Sequence, residues 1–339
     1  MTLSHALRRR AARILTPVLS TALILTACAG PMRLSAEPAT VASEVAARGP
    51  IVSAANPLAA EAGMAVLRRG GSAVDEGPAD AEAWTAFAQL QRLMYADRDR
   101  YVGDADFVEV PVAGLLDPAY VAGRAALAPT LDGAAEPGLP PGFQPRAADA
   151  TAEPAGTSHF VVVDAEGNAV SMTTTVESIF GSGRMAAGFF LNNQLTDFSF
   201  RPVDEAGRPV ANAVAPNKRP RSSMSPVIIL DREGRFVGAV GSPGGTSILA
   251  YVAKALIGSL AWDLSMQAAI DLPNLVARGD GFGADTEMFS PALRAELAAA
   301  GIELRPNASE NSGLHGVLWR DGRWDAGADP RREGVVLTR

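Results

Sequence analysis

The sequence predicts an α+β fold, and three observations carry that reading. Two strand pairs are each joined by a hairpin turn: Ser158–Asp164 with Ala169–Val176, and Val227–Leu230 with Phe236–Val240. A stretch with apolar residues at helical spacing precedes them at Ala81–Tyr101. Another helix follows a glycine-rich turn, at Thr246–Leu260. Each such element has one apolar face, and faces of this kind are buried by stacking in layers.

The first 28 residues read as a secretion signal. Arg8, Arg9, Arg10 and Arg13 form a basic region, and Ile14–Leu25 an apolar core too short to span a bilayer as a stable helix. It ends in Leu25-Thr26-Ala27-Cys28, the pattern of a bacterial lipoprotein signal in which Cys28 becomes the lipidated first residue. Ala29 follows instead of an aspartate, which resembles lipoproteins sorted to the outer membrane. The expected location is therefore the periplasmic face of the cell envelope. The competing reading is an ordinary small-residue cleavage site with an incidental cysteine. Residues 29–48 are small and polar, a tether.

Asn56–Arg69 reads as a helix with Leu58, Ala62, Ala65 and Val66 on one side, stopped by Gly70-Gly71. Ala81–Tyr101 is a second, with Trp84, Phe87, Leu90, Leu93 and Met94 as core. Residues 128–156 are rich in Pro, Ala, Gly and Asp without apolar period, and predict a flexible linker. Ala165-Glu166-Gly167-Asn168 and Arg232-Glu233-Gly234 are the hairpin turns. Helical stretches follow near 264–271 and 291–300, and Val317–Trp324 reads as a last hairpin.

Composition narrows the function. The 30 basic and 37 acidic residues leave a net charge of −7, which argues against a nucleic-acid partner. Cys28 is the sole cysteine, so no disulfide within the chain and no Cys-x-x-Cys redox or zinc motif is possible. No metal cluster and no cofactor motif stands out.

The chemistry concentrates at Thr157, between Glu153-Pro154-Ala155-Gly156 and a predicted strand. If the Gly156–Thr157 bond is cut, the new α-amine is a local base for the threonine hydroxyl. A threonine before a strand is otherwise structural. The blocks around it change its meaning: Thr157–Asp164 with Gly167–Ser171 and Thr173–Glu177; Phe180–Gly183 with Leu191–Phe198; Asn217–Pro226; and Gly241-Ser242-Pro243-Gly244-Gly245. In that order and spacing they resemble the small-subunit half of the γ-glutamyltranspeptidases, which are N-terminal-nucleophile hydrolases. Asn56–Asp75, Ala96–Tyr101 and Asp329–Arg332 match outlying pieces of the same family.

The resemblance implies an αββα four-layer sandwich, here incomplete, because most of the large-subunit region is missing after Asp75. It divides the chain into the signal (1–28), tether (29–48), large-subunit remnant (49–127), pre-cleavage linker (128–156) and small-subunit catalytic region (157–339). It also implies site roles. Thr157 is the nucleophile and Thr175 orients its hydroxyl; Gly244 and Gly245 supply oxyanion N–H groups. Glu177, Gln194 and Asp197 hold a substrate α-amino group, and Ser222 and Ser223 its α-carboxylate. From the residues alone Thr175 is one of three strand threonines and the glycine pair a turn; Glu177 is a solvated strand end and Asp197 a cap.

The missing region normally supplies an arginine for that carboxylate. Arg98 and Arg100 belong to a different family segment and read as structural. His159 reads as a packed strand residue, and His315 has no evident partner. The implied activity is acyl transfer from γ-glutamyl compounds such as glutathione to water, amino acids or peptides, with a heterodimer of large and small fragments after autoproteolysis. The competing expectations are a cephalosporin or glutaryl acylase and a non-catalytic, internally deleted remnant.

Overall fold

The computed structural model describes residues 53–54, 77–144, 147, 149, 151, 156–307 and 311–338, all within the unit spanning 48–339. The expected signal, Cys28, the tether and the Asn56–Arg69 helix lie outside the described residues.

Helix α1 (Ala81–Tyr101) begins where Asp80 accepts the Glu82 N–H at 2.7 Å, and ends with Arg98 and Arg100 in its last turn, where cations suit the helix dipole. Trp84, Phe87, Leu90 and Leu93 are buried as expected. Trp84 sits edge-on to Phe87 and Phe289. Two short helices follow, α2 (Val112–Leu115) and α3 (Pro118–Leu127), the latter capped by Asp117.

The central sheet holds five strands in the order β1-β6-β7-β11-β12: β1 (Ser53–Ala54), β6 (Val227–Leu230), β7 (Phe236–Gly241), β11 (His315–Arg320) and β12 (Arg323–Ala328). Its pairings are antiparallel throughout. Alternation decides its two faces. Val240, Leu314 and Leu318 join Val227 and Ile229 in one core with helices α4 (Ile248–Leu260) and α5 (Met266–Asp271). Gly241, His315 and Val317 point the other way.

On that second face lies the hairpin of β2 (Thr157–Val163) and β3 (Ala169–Thr175). The approach is close: a Cβ on Gly241 would stand 2.3 Å from the His159 ring. His159 is thus the packed strand residue the sequence suggested, buried and 2.9 Å through Nδ1 from Thr173 Oγ1. Helices, sheet and hairpin make three consecutive layers of the four-layer sandwich. The hairpin's outer face carries Phe160, Val162, Val170 and Met172 exposed. No fourth layer covers it among the described residues, which fits an incomplete fold.

Two further ribbons complete the description. β4 (Met185–Ala186) pairs with β5 (Phe189–Phe190). β8 (Leu275–Arg278), β9 (Gly281–Ala284) and β10 (Arg305–Pro306) form a small sheet against α1, with α6 (Pro291–Ala299) also on α1. The β8–β9 hairpin went unanticipated because Gly279, Gly281 and Gly283 erase its apolar alternation. Helix α4 starts at Ile248, after a 3₁₀ turn at Gly245–Ser247, two residues later than expected.

The described residues of the expected linker touch the body at several points. The described part of 128–156 has little regular structure, yet it is pinned to the body. Phe143 stacks edge-on to Tyr101, Gly138 donates to Asp97 at 2.7 Å, and buried Asp149 pairs with Arg221 at 2.9 Å. Individual anchors and a buried ion pair hold these described residues, and composition registers neither.

Candidate active site

The site begins with a register. The turn after β2 closes through Asp164, whose carboxylate accepts N–H groups from Glu166 at 3.0 Å and Asn168 at 2.8 Å. That fixes Val163 opposite Ala169, and pairing then runs back to set Thr157 opposite Thr175. Both side chains face inward. Thr157 Oγ1 donates to Thr175 Oγ1 at 3.1 Å; Thr175 accepts the Glu177 N–H at 2.8 Å and donates to the Gly156 carbonyl at 3.4 Å. A strand threonine at this position has become the hub between the hydroxyl and carbonyl of one peptide junction.

Gly156 is required there by space. A Cβ on it would lie 2.1 Å from the Glu177 carbonyl oxygen and 2.6 Å from Ser178 C. Glu177 itself has φ 75°, the left-handed region that costs a non-glycine residue about 1 kcal/mol or more. Its buried carboxylate accepts from Ser178 Oγ at 2.7 Å, Thr196 Oγ1 at 2.8 Å and Asn193 Nδ2. It is therefore no solvated strand end. The loop between β5 and β6 brings up Gln194, whose Nε2 donates to buried Asp197, while Asn212 Nδ2 anchors the Asp197 carbonyl at 2.7 Å.

A shallow, open cleft gathers these groups: Thr157, Thr175, Glu177, Gln194, Asp197, Ser222, Ser223 and Gly245, with Met224 and Ile248 as apolar wall. The sequence reading anticipated every polar member and neither apolar one. Gly244 (φ 137°) and Gly245 (φ 54°) form the turn into α4, where free N–H groups of a helix start favour developing negative charge. Tyr251 fixes the turn from beneath: a Cβ on Gly244 would stand 2.6 Å from its ring. Tyr95 of α1 donates to the Thr246 carbonyl at 2.6 Å and ties the same turn down.

Four partners escaped the sequence reading. Arg332 donates to the Thr157 carbonyl at 3.2 Å, from far along the chain. Asn193 and Thr196 shape the Glu177 carboxylate. Arg98, expected to be structural, reaches Ser223 and donates to its hydroxyl. Burial, with a smaller push from His315, lowers the His159 imidazole to about 4, and Nε2 has no hydrogen-bond partner among the described residues. It is a neutral packing group near neutral pH.

The comparisons with known proteins fit this geometry. The family model for gamma-glutamyltranspeptidase matches residues 75–338. The chain belongs to the γ-glutamyltranspeptidase family. The glutathione hydrolase proenzyme of Pseudomonas aeruginosa is 35% identical over 268 residues, covering 74% of this chain and 45% of the relative. The Escherichia coli glutathione hydrolase proenzyme is 35% identical over 261 residues, covering 74% and 43%. The acylase ACY 1 proenzyme of Pseudomonas sp. strain SE83 is 30% identical over 254 residues, covering 74% and 42%. This γ-glutamyltranspeptidase family chain thus spans less than half the length of these relatives. In fold it is similar to the cephalosporin acylase of Bacillus halodurans, with a TM-score of 0.68 at 21% identity, over 83% of this chain and 49% of that one.

Proposed function

We propose that the chain is a γ-glutamyltransferase and glutathione hydrolase that matures by cutting itself between Gly156 and Thr157. The observation that carries this reading is the Thr157–Thr175 hydroxyl pair at 3.1 Å beside the Gly156 carbonyl, opening on a cleft with two buried carboxylates and two serines.

In maturation, Thr157 Oγ1 attacks the Gly156 carbonyl carbon while Thr175 polarises its oxygen. The C–N bond breaks, the peptide nitrogen takes the hydroxyl proton and becomes the α-amine, and water hydrolyses the ester to a Gly156 carboxylate. The two fragments stay together as a heterodimer. In turnover the α-amine, with an ordinary pKa near ~8, accepts the Thr157 hydroxyl proton as the oxygen attacks the γ-carbonyl of the donor. N–H groups of Gly244 and Gly245 stabilise the oxyanion, a contribution of about 3–4 kcal/mol per donor. The leaving amine departs protonated, and water or an amino-acid or peptide acceptor resolves the acyl-enzyme. Glu177, with Gln194 and Asp197, receives the donor's ammonium; Ser222 and Ser223 receive its carboxylate.

The test is incubation of the purified chain at neutral pH, followed by N-terminal sequencing of any fragments and a γ-glutamyl anilide assay. A fragment beginning at Thr157, absent in Thr157→Ala, together with anilide turnover, is the expected result. A folded chain that stays whole supports the remnant reading, which the partial span and the bare outer face of β2–β3 favour. The acylase reading, favoured by the acylase relative, predicts faster turnover of a glutaryl amide than of its γ-glutamyl counterpart. We also propose a lipid anchor on Cys28 and a place on the periplasmic face of the outer membrane. Only the sequence pattern supports this. Palmitate labelling lost in Cys28→Ala tests it.

A further inference from the structure

We propose that Arg98 supplies the cleft's preference for a substrate carboxylate, acting through Ser223. The inference deepens the γ-glutamyl reading and rests on it. Arg98 lies in the last turn of α1, on a segment distant in sequence from the serines, with its side chain 1% exposed. Its guanidinium donates to Ser223 Oγ, and Ser223 lines the cleft with Ser222.

The chemistry of the pair follows from what each group can do. A guanidinium has donors only, so in this bond the Ser223 oxygen is the acceptor. Accepting a charge-assisted hydrogen bond draws electron density from the hydroxyl and strengthens it as a donor. The positive charge stands one hydroxyl away from whatever Ser223 binds, in a water-poor setting where charges act strongly.

The same guanidinium is held in place. Arg98 Nη1 contacts Asp99 at 3.0 Å, and Asp99 is itself shared with Arg278 at 2.6 Å and Arg221 at 3.4 Å. A flexible lysine would not be fixed in this way, whereas the planar fork of arginine is. Arg98 does not line the cleft, so it is a positioning residue. The prediction is selective: it concerns acyl donors that carry a carboxylate, and leaves those without one alone.

The test uses the full chain after processing, with three anilides. The γ-glutamyl compound has both an amino and a carboxylate group, the glutaryl compound lacks the amino group, and the 4-aminobutanoyl compound lacks the carboxylate. In Arg98→Met, KM is expected to rise about tenfold for the two carboxylate-bearing donors, a differential of about 1.4 kcal/mol. It should stay within about twofold for 4-aminobutanoyl, and kcat should change little. Arg98→Lys keeps the charge and should show the same selectivity at about threefold. It decides the matter if Arg98→Met fails to fold or process. An equal loss on all three donors, or unchanged KM values, overturns the proposal while leaving the γ-glutamyl reading intact. A wild-type protein that turns over none of the three sinks both.

Discussion

Replacing Thr175 with valine separates positioning of the nucleophile from stability of the hairpin. Valine keeps the shape and the β preference and removes only the hydroxyl. That hydroxyl lies 3.1 Å from Thr157 Oγ1, accepts the Glu177 N–H at 2.8 Å and donates to Gly156 O at 3.4 Å. The Glu177 contact is within ordinary hydrogen-bond range, the Thr157 contact is slightly long for two hydroxyls and the Gly156 contact is longest, so the Gly156 contact should matter least to stability. Leaving the Glu177 N–H without its acceptor costs about 1–3 kcal/mol. In a domain of this size that lowers Tm by about 2–4 °C per kcal/mol. Glu177 is also held at φ 75°, so the loss favours relaxation of its backbone and withdrawal of its carboxylate from the cleft. An unoriented Thr157 hydroxyl should slow self-cleavage by about 10–100-fold, the equivalent of about 1.4–2.7 kcal/mol of barrier. The assay is a time course of the fragment beginning at Thr157, alongside thermal denaturation. Thr175→Ser should recover most of the rate. Cleavage of Thr175→Val at the wild-type rate, or a serine variant as slow as the valine one, would refute the reasoning.

Other outcomes follow from the same geometry. Gly244→Ala forces a methyl to within 2.6 Å of the buried Tyr251 ring, so kcat for anilide hydrolysis should fall by about 10²-fold with KM moving far less; an unchanged kcat would dissociate the turn from the oxyanion. His159 has a folded pKa of about 4 against an ordinary 6.5. Between those values the unfolded chain binds the extra proton, so stability rises with pH across this window and is lost as pH falls through it, by roughly 3 kcal/mol in all. Thermal denaturation from pH 4 to 7 should therefore have a flatter profile in His159→Gln, and parallel profiles would show that the ring is not the cause. Arg332→Met removes the donor to the Thr157 carbonyl and should slow self-cleavage several-fold, read by the same fragment time course, while Arg331→Met should act on stability through Asp285 and Asp329. On the exposed outer face of the hairpin, Val162→Thr should leave Tm nearly unchanged, since its side chain is more than half exposed and threonine keeps the β-branched shape opposite Val170.

What the sequence could show was local. Alternation marked β2, β3, β6 and β7, helical spacing marked α1, and the turn Ala165–Asn168 set the register that places Thr175 across from Thr157. The motif blocks named the polar lining of the cleft because each block is a short continuous run. The reading lost ground where the partners are far apart. Composition places Asp149 in a proline- and alanine-rich stretch, whereas the fold pairs it with Arg221, and glycines mask the alternation of the β8–β9 hairpin. Arg98 looked like a helix-end cation until the fold brought it to Ser223.

The sequence by itself determined the family and the α+β class and singled out Thr157 as the proposed nucleophile, because these depend on side-chain types at fixed local spacing. The tertiary structure alone decided that Glu177 is buried in a hydrogen-bonded nest, that Met224 and Ile248 wall the cleft, and that Arg98 and Arg332 reach the site from other elements. The Arg98 and Arg332 contacts join segments separated by more than a hundred residues, the Glu177 nest closes within its own loop, and only the stacking of helices, sheet and hairpin brings the distant segments within hydrogen-bond range.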